Sequence, residues 1–202
     1  MEIKVLNNLY TDENTYFIID GGKAIVIDPG SEPEKTAEFA ADLKIEYIFL
    51  THCHYDHITS VDFLRKNGAK LCATKECSEN LKDDILNLSG IWLDEKIIID
   101  GADIILDENE DFNFHDIKIK TIKTPGHTNC SSCFLIEDKL FTGDMLFFQT
   151  VGRCDLPTGS ISSLQSSVKE KLFTLDDNTE VYPGHGRKTS IGYEKKFNLA
   201  IK

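Results

Sequence analysis

Short apolar runs alternate along the chain with amphipathic segments, a pattern typical of strands that alternate with helices. The apolar runs are rich in Ile, Val, Leu and Phe and are bounded by turn residues such as Gly, Asn and Asp. They predict strands at residues 2–6, 15–19, 24–27, 45–50, 70–73, 97–99, 103–106, 117–121, 133–136, 139–141 and 180–182.

The helices are predicted from capping residues and from apolar positions three or four apart. Ser31 is followed three residues later by Glu34, a capping-box pattern, so a helix is expected from Ser31 to about residue 43. Ser160 is expected to cap a second helix, whose apolar face holds residues 161, 164, 168 and 172. Further helices are predicted at residues 59–66, 78–88 and 191–200. Because strands precede helices in both halves and nothing marks a boundary, we predict one α/β (α+β) domain over residues 1–202.

Composition and charge narrow the function classes. The 202 residues include 34 acidic and 22 basic side chains, which gives a formal net charge of -12. An acidic surface repels phosphate backbones and anionic lipids, so nucleic-acid and membrane partners are not expected. No apolar run is long enough to span a bilayer, and residues 1–14 lack the features of a signal peptide, so a cytoplasmic location is expected.

A cluster of metal-ligand residue types directly follows the strand predicted at residues 45–50. Within Thr-His-Cys-His-Tyr-Asp-His, His52 and His54 share one face of an extended segment, while Asp56 and His57 come after the chain turns. Imidazole nitrogens and carboxylate oxygens are ligands that zinc, iron and manganese accept. This loop therefore predicts a metal site with ligands for two ions.

Three further candidates follow other predicted strands: His127 after a Pro-Gly turn, Asp144 in Thr-Gly-Asp, and His185 in Pro-Gly-His-Gly. Together with the loop they supply two sets of three ligands, which are His52, His54 and His127 for one ion and Asp56, His57 and His185 for the other. Asp144 can bridge the two ions. Two ions about 3.5–4 Å apart with a hydroxide between them are a known hydrolytic device.

These motifs resemble the metallo-β-lactamase superfamily, and more closely its short, glyoxalase II-like branch. The matching segments span the chain and are Asp-Pro-Gly at 28–30, the histidine loop at 52–57, Thr-Pro-Gly-His-Thr at 124–128, Thr-Gly-Asp at 142–144, Val-Gly-Arg-Cys-Asp-Leu-Pro at 151–157 and Pro-Gly-His-Gly at 183–186. The resemblance implies a four-layer αββα sandwich and the same seven metal ligands. Because the sequence ends soon after the last motif, we do not expect the helical region that helps to bind glutathione in full-length glyoxalase II.

The predicted function is a metal-dependent hydrolase that cleaves a small acyl thioester of the hydroxyacylglutathione type with a metal-bridging hydroxide. Asp56 and Asp144 are the predicted catalytic carboxylates, because they bind the metals and orient the hydroxide. A thiol, with a pKa near ~8.5, leaves as a thiolate without a proton donor, which favours thioesters over amides. Arg153 offers a bidentate fork for a substrate carboxylate and is the predicted substrate-binding residue.

Several alternatives stay open at the level of sequence. Persulfide dioxygenases share the scaffold and carry a single iron on two histidines and one aspartate. The nearest equivalents here are His52 or His54, His127 and Asp144. Lactonases and β-lactamases of the same superfamily are a second alternative, and a metal-binding redox partner protein is a third. Two zinc ions are the preferred cofactors, but the same ligands suit iron or manganese. The oligomeric state is left open.

Overall fold

Two six-stranded mixed sheets carry the fold in the computed structural model, which describes residues 1–201. The chain divides into two compact units, one covering Met1–Ile105 and the other beginning at Leu106. The α/β class predicted from the sequence is therefore confirmed. None of the described helices has the length and apolar character needed to cross a membrane, and the cytoplasmic location stays a prediction.

The first sheet has the strand order β1-β2-β3-β4-β5-β6. Its strands are β1 (Glu2–Asn7), β2 (Asn14–Asp20), β3 (Lys23–Ile27), β4 (Lys44–Phe49), β5 (Lys70–Thr74) and β6 (Ile104–Leu106). Strands β1, β2 and β3 pair antiparallel, whereas β3, β4 and β5 pair parallel. The carboxyl ends of β3 and β4 therefore meet at one edge, and the loops that follow them start from neighbouring positions.

The helices of the first unit are short. They are α1 (Pro33–Phe39), α2 (Tyr55–Ile58), α3 (Val61–Lys66), α4 (Lys75–Asn80) and α5 (Ser89–Trp92). The sequence predicted that Ser31 caps α1, and this prediction is wrong. Glu32 is the N-cap residue and Pro33 opens the helix, a position that suits proline because its missing N–H has no intrahelical partner.

Residues 78–99 differ from the prediction of one long helix and a strand. The Asp83 carboxylate accepts hydrogen bonds from the backbone N–H groups of Ile85 and Leu86. These N–H groups therefore donate to a side chain and not to the carbonyls of a continuing helix. The predicted strand at 97–99 does not form. The Ser89 hydroxyl accepts from the Ile97 N–H at 2.9 Å, and the Asn87 amide donates to the Ile97 carbonyl at 2.7 Å. Side chains thus satisfy backbone groups that a sheet would otherwise pair.

The second sheet has the order β12-β11-β10-β9-β8-β7. Its strands are β7 (Phe112–Phe114), β8 (Ile117–Lys123), β9 (Ser132–Ile136), β10 (Lys139–Gly143), β11 (Glu180–Pro183) and β12 (Thr189–Ser190). The sheet is antiparallel except for the β10–β11 pair, which is parallel. Residues that follow β10 and β11 therefore lie at the same sheet edge. The sequence predicted the four strands from β8 to β11 and missed the short β7 and β12.

Two helices complete the second unit. Helix α6 (Ile161–Ser167) continues into one π-helical segment at Val168–Leu172, and α7 spans Ile191–Phe197. The Ser160 hydroxyl accepts from the Ser163 N–H, which confirms the predicted cap. Leu164, Val168 and Leu172 are buried in the core as expected, whereas Ile161 is exposed because it lies in the first turn, beyond the core.

A buried carboxylate fastens α7 to the loop that follows β10. Glu194 is fully buried and accepts hydrogen bonds from the Gln149 backbone N–H at 2.9 Å, the Thr189 hydroxyl at 2.6 Å and the Asn198 amide at 2.8 Å. Three donors compensate the loss of hydration of this carboxylate. Glu194 therefore fixes the loop around Gln149 and the start of α7 in one arrangement.

Replacing Glu194 with alanine should destabilise the protein by about 3 kcal/mol, because three hydrogen bonds to a fully buried carboxylate are lost. The measurement is the urea midpoint of unfolding for Glu194→Ala, with the exposed Glu170→Ala as the matched control. Glu170→Ala should unfold within about 0.5 kcal/mol of the wild type. Equal midpoints for both variants would contradict this role of Glu194.

Candidate metal centre

The histidine loop at residues 51–57 starts at the carboxyl end of β4 and turns into α2. His54 is the N-cap residue of α2, so the chain changes direction between the His52–His54 pair and the Asp56–His57 pair. All three histidines are buried, and their rings cluster. The ring centroid of His52 lies 4.6 Å from that of His54 and 4.3 Å from that of His57. The predicted alternation and turn are therefore present.

Asp28, at the end of the neighbouring strand β3, organises this loop. One carboxylate oxygen, Oδ1, accepts from the Thr51 backbone N–H at 2.7 Å. The other, Oδ2, accepts from the Thr51 hydroxyl at 2.6 Å and from His57 Nδ1 at 3.0 Å. Asp28 is buried and has a φ of 49°, a conformation that aspartate tolerates better than most residues.

These hydrogen bonds determine which ring nitrogens can bind a metal. Because Asp28 accepts from His57 Nδ1, that nitrogen carries the proton. The Thr51 hydroxyl donates its only hydrogen to Asp28, so at 3.0 Å it accepts from His52 Nδ1. Both rings are thus held in the tautomer that offers Nε2 as a metal ligand, the arrangement typical of metal-binding histidines.

Glu13 lies behind the same loop and was not identified from the sequence. The residue is fully buried, and burial raises the pKa of its carboxyl well above the usual range. It accepts from the Thr15 hydroxyl at 3.1 Å, and that hydroxyl accepts from the Gly30 N–H at 3.1 Å. Glu13 stands in a polar stretch of charged and amide residues, so no local pattern indicates its burial.

Gly30 allows the close packing between this carboxyl group and the histidine loop. A Cβ atom at Gly30 would collide with the backbone oxygen of Asp56 and lie 2.6 Å from Glu13 Oε2. The Asp-Pro-Gly turn at 28–30 therefore brings two backbone segments together that any larger residue would separate.

In the second unit, two predicted histidine ligands lie on either side of the predicted ligand Asp144. His127 follows β8, Asp144 follows β10 and His185 follows β11. Asp144 Oδ2 lies 3.5 Å from His127 Nε2, and Asp144 Oδ1 lies 3.5 Å from His185 Nε2. Each carboxylate oxygen thus faces a different imidazole, which is the disposition that a bridging ligand requires.

The orientation of His127 is fixed by a backbone carbonyl. Its Nδ1 donates to the Arg153 carbonyl oxygen at 2.7 Å, so Nε2 is again the nitrogen that can bind a metal. Gly152, next to Arg153, has no room for a side chain. A Cβ there would collide with the Asp144 carbonyl and lie 3.1 Å from His127 Nδ1.

Arg153, the predicted substrate-binding residue, is engaged by a neighbour in the sequence. Its Nε and Nη2 donate to the two oxygens of Asp155 at 2.7 and 2.8 Å, a bidentate pair on the surface. The guanidinium holds the pKa of the Asp155 carboxyl at about 2. The role of Arg153 in substrate binding stays a prediction.

Each unit brings its own predicted metal ligands close together. The first unit brings together His52, His54 and His57, with Asp56 Oδ2 at 3.9 Å from His57 Nε2. The second unit brings together its own three predicted ligands, as described above. The complete seven-residue set stays a prediction.

Comparison with known proteins identifies the family. The family model described as the metallo-beta-lactamase superfamily matches residues 11–185. The chain belongs to this superfamily. One curated relative is a probable metallo-hydrolase of Streptococcus pyogenes, 32% identical over 96% of this chain and 88% of the relative. Another is the hydroxyacylglutathione hydrolase GloC of Haemophilus influenzae, 31% identical over 98% of this chain and 97% of GloC.

Solved structures of the superfamily show the same fold. The chain matches the BLEG-1 B3 metallo-β-lactamase with a TM-score of 0.93 and 29% identity, over 100% of both chains. It matches TTHA1623 in a di-iron-bound form with a TM-score of 0.83 and 28% identity, over 97% of this chain and 98% of that one. The predicted metallo-β-lactamase fold is thus confirmed. The chain is a metallo-hydrolase of this superfamily, and its clusters of histidine and aspartate suit divalent metal ions.

Replacing Asp28 with asparagine should weaken metal binding by about 10- to 100-fold, because one of the two oxygens that accept from Thr51 and His57 becomes an NH2 donor. Competition with a chromophoric chelator measures the affinity for Zn²⁺. The control is Asp42→Asn, an exposed aspartate that makes the same chemical change and should bind zinc like the wild type. Unchanged zinc affinity in Asp28→Asn would show that the loop holds its histidines without this carboxylate.

Proposed function

We propose that the protein hydrolyses small acyl thioesters of the hydroxyacylglutathione type with two divalent metal ions. The observation that carries the proposal is the placement of Asp144 between His127 and His185, with one carboxylate oxygen toward each ring. A ligand that bridged two ions would adopt this arrangement, which supports a site for two ions. The similarity to a hydroxyacylglutathione hydrolase over nearly the whole chain supports the choice of substrate.

The chemistry of the donor set fits the metals proposed. The side chains that we propose as ligands are His52, His54, Asp56, His57, His127, Asp144 and His185. Nitrogen and carboxylate donors of this kind suit zinc, which we propose as the metal, and iron is the alternative because TTHA1623 was solved in a di-iron-bound form. When bound, the ions supply a water of lowered pKa and polarise the substrate carbonyl.

The protein's own residues then orient and hold the reactants. Asp56, in the first turn of α2, is only partly buried, so we propose that it orients the attacking water through its carboxylate. Asp144 is fixed by the β10 end and by the close contact with Gly152. A thioester needs no proton donor for its leaving group, because a thiol has a pKa near ~8.5 and departs as a thiolate. An amide would require a general acid.

A second candidate is the hydrolysis of β-lactams. The full-length match to BLEG-1, with a TM-score of 0.93, favours it. That reaction releases an amine and so requires a proton donor, which a thioester does not.

The whole chain as one domain and the cytoplasmic location are proposals that rest on the sequence. Persulfide oxygenation, the alternative drawn from the sequence, is retained as an outcome of the test.

The test loads the purified protein with Zn²⁺ or Fe²⁺ and compares four substrates: S-lactoylglutathione, its amide analogue, a cephalosporin and a persulfide. We expect kcat/KM for the thioester to exceed that for the amide by at least about 100-fold, which corresponds to roughly 2.7 kcal/mol in the barrier. Elemental analysis should give about two metal ions per chain.

Two variants accompany this comparison. Asp144→Asn should lose one metal ion and most of the thioesterase activity. Asp116→Asn changes an exposed aspartate and should keep two metal ions and full activity. Faster turnover of the cephalosporin or the amide would favour the β-lactamase function. Oxygen uptake with the persulfide, in a protein that binds one iron, would replace the hydrolase proposal with the oxygenase.

A further inference from the structure

Two neighbouring phenylalanines after β10 contact His185 and an arginine that the sequence did not single out. Phe147 meets the His185 ring edge-on, with centroids 6.1 Å apart. Its neighbour Phe148 lies beneath the guanidinium of Arg187, whose central carbon is 3.5 Å from the ring centroid. Arg187 is only two residues from His185 in sequence, so their Cα atoms are at most about 7 Å apart.

The ring that supports Arg187 is itself held firmly. Phe148 stacks on Tyr193, with centroids 5.1 Å apart, and the Gln149 amide donates to the Tyr193 hydroxyl at 2.6 Å. The adjacent backbone is fastened by Glu194, which accepts from both Gln149 and Thr189. The two segments that carry Phe148 and Arg187 are thus bound to the same buried carboxylate.

The guanidinium of Arg187 is available to a ligand. Arg187 is exposed, and no described carboxylate lies within ion-pair distance of it. Arg153 differs, because its Nε and Nη2 atoms already donate hydrogen bonds to Asp155. In a chain with a net charge of -12, an unpaired arginine beside a candidate metal ligand is a local site of attraction for an anion.

We propose that Arg187, stacked on Phe148, binds a carboxylate of an anionic thioester substrate and so determines specificity for charged over neutral thioesters. This inference rests on the proposed thioesterase function. Stacking on the ring leaves the N–H groups at the edge of the guanidinium plane free to donate to a carboxylate. Because one face is already packed, the side chain loses less rotational freedom when the substrate binds.

The experiment compares two thioesters with the same acyl group: S-lactoylglutathione, which carries carboxylates, and S-lactoyl-N-acetylcysteamine, which is neutral. In the metal-loaded enzyme, Arg187→Ala should raise KM for the glutathione thioester about 10-fold with little change in kcat, because one charge-assisted hydrogen-bonded pair is lost. KM for the neutral thioester should stay the same. Arg187→Lys should recover part of the affinity.

Two other cations serve as controls. Lys188→Ala removes the neighbouring charge, whose ammonium lies over Tyr182 at 3.9 Å instead, and should leave both KM values unchanged. Arg153→Ala tests the residue predicted from the sequence. Loss of preference for the charged thioester in Arg153→Ala and not in Arg187→Ala would overturn the inference in favour of Arg153.

A binding measurement separates this inference from the proposed function. Calorimetric titration of the metal-loaded protein with S-hexylglutathione, which cannot be hydrolysed, should show binding about 10-fold weaker in Arg187→Ala than in the wild type. If neither thioester is hydrolysed, the thioesterase proposal fails, and this titration alone decides the role of Arg187. Equal binding by both proteins, or equal KM values for the charged thioester, would overturn the inference.

Discussion

The buried carboxylate of Asp28 accepts three hydrogen bonds from the loop that carries the three clustered histidines. Two come from Thr51, which in turn accepts from His52, and one comes from His57. The orientation of the two imidazoles therefore depends on a residue that is not among the predicted ligands. Three donors compensate this buried carboxylate for its lost hydration, and the two histidines beside it are already in the tautomer that a metal ligand requires.

The clustering of the candidate ligands within each unit could be predicted from sequence because each candidate follows a strand at short range. Alternation in extended backbone paired His52 with His54, and the turn into α2 separated Asp56 and His57 from them. The residues that support the ligands could not be predicted in the same way. Asp28 is 29 positions from His57, and Glu194 is 45 positions from Gln149, so their contacts follow from the tertiary fold and leave no local pattern.

The same distinction explains the errors in secondary structure. Strands β2, β3, β4 and β8 were predicted to within two residues at each end. Apolar runs mark β2, β3 and the end of β4, and apolar residues alternate with lysines at the start of β8. Residues 78–99 contain apolar positions at helical spacing, yet Asp83, Asn87 and Ser89 divert the backbone hydrogen bonds. Short polar side chains compete with secondary structure, and their competition depends on geometry that spacing alone does not encode.

Glu194 lies in α7 and binds the loop between Asp144 and Arg153, although it is about 40 residues or more from both in the sequence. A substitution in α7 can therefore shift the aromatic rings at Phe147 and Phe148 without altering any histidine or aspartate that we propose as a ligand. Evolution can thus keep the proposed ligands while the surface around Phe148 and Arg187 diverges.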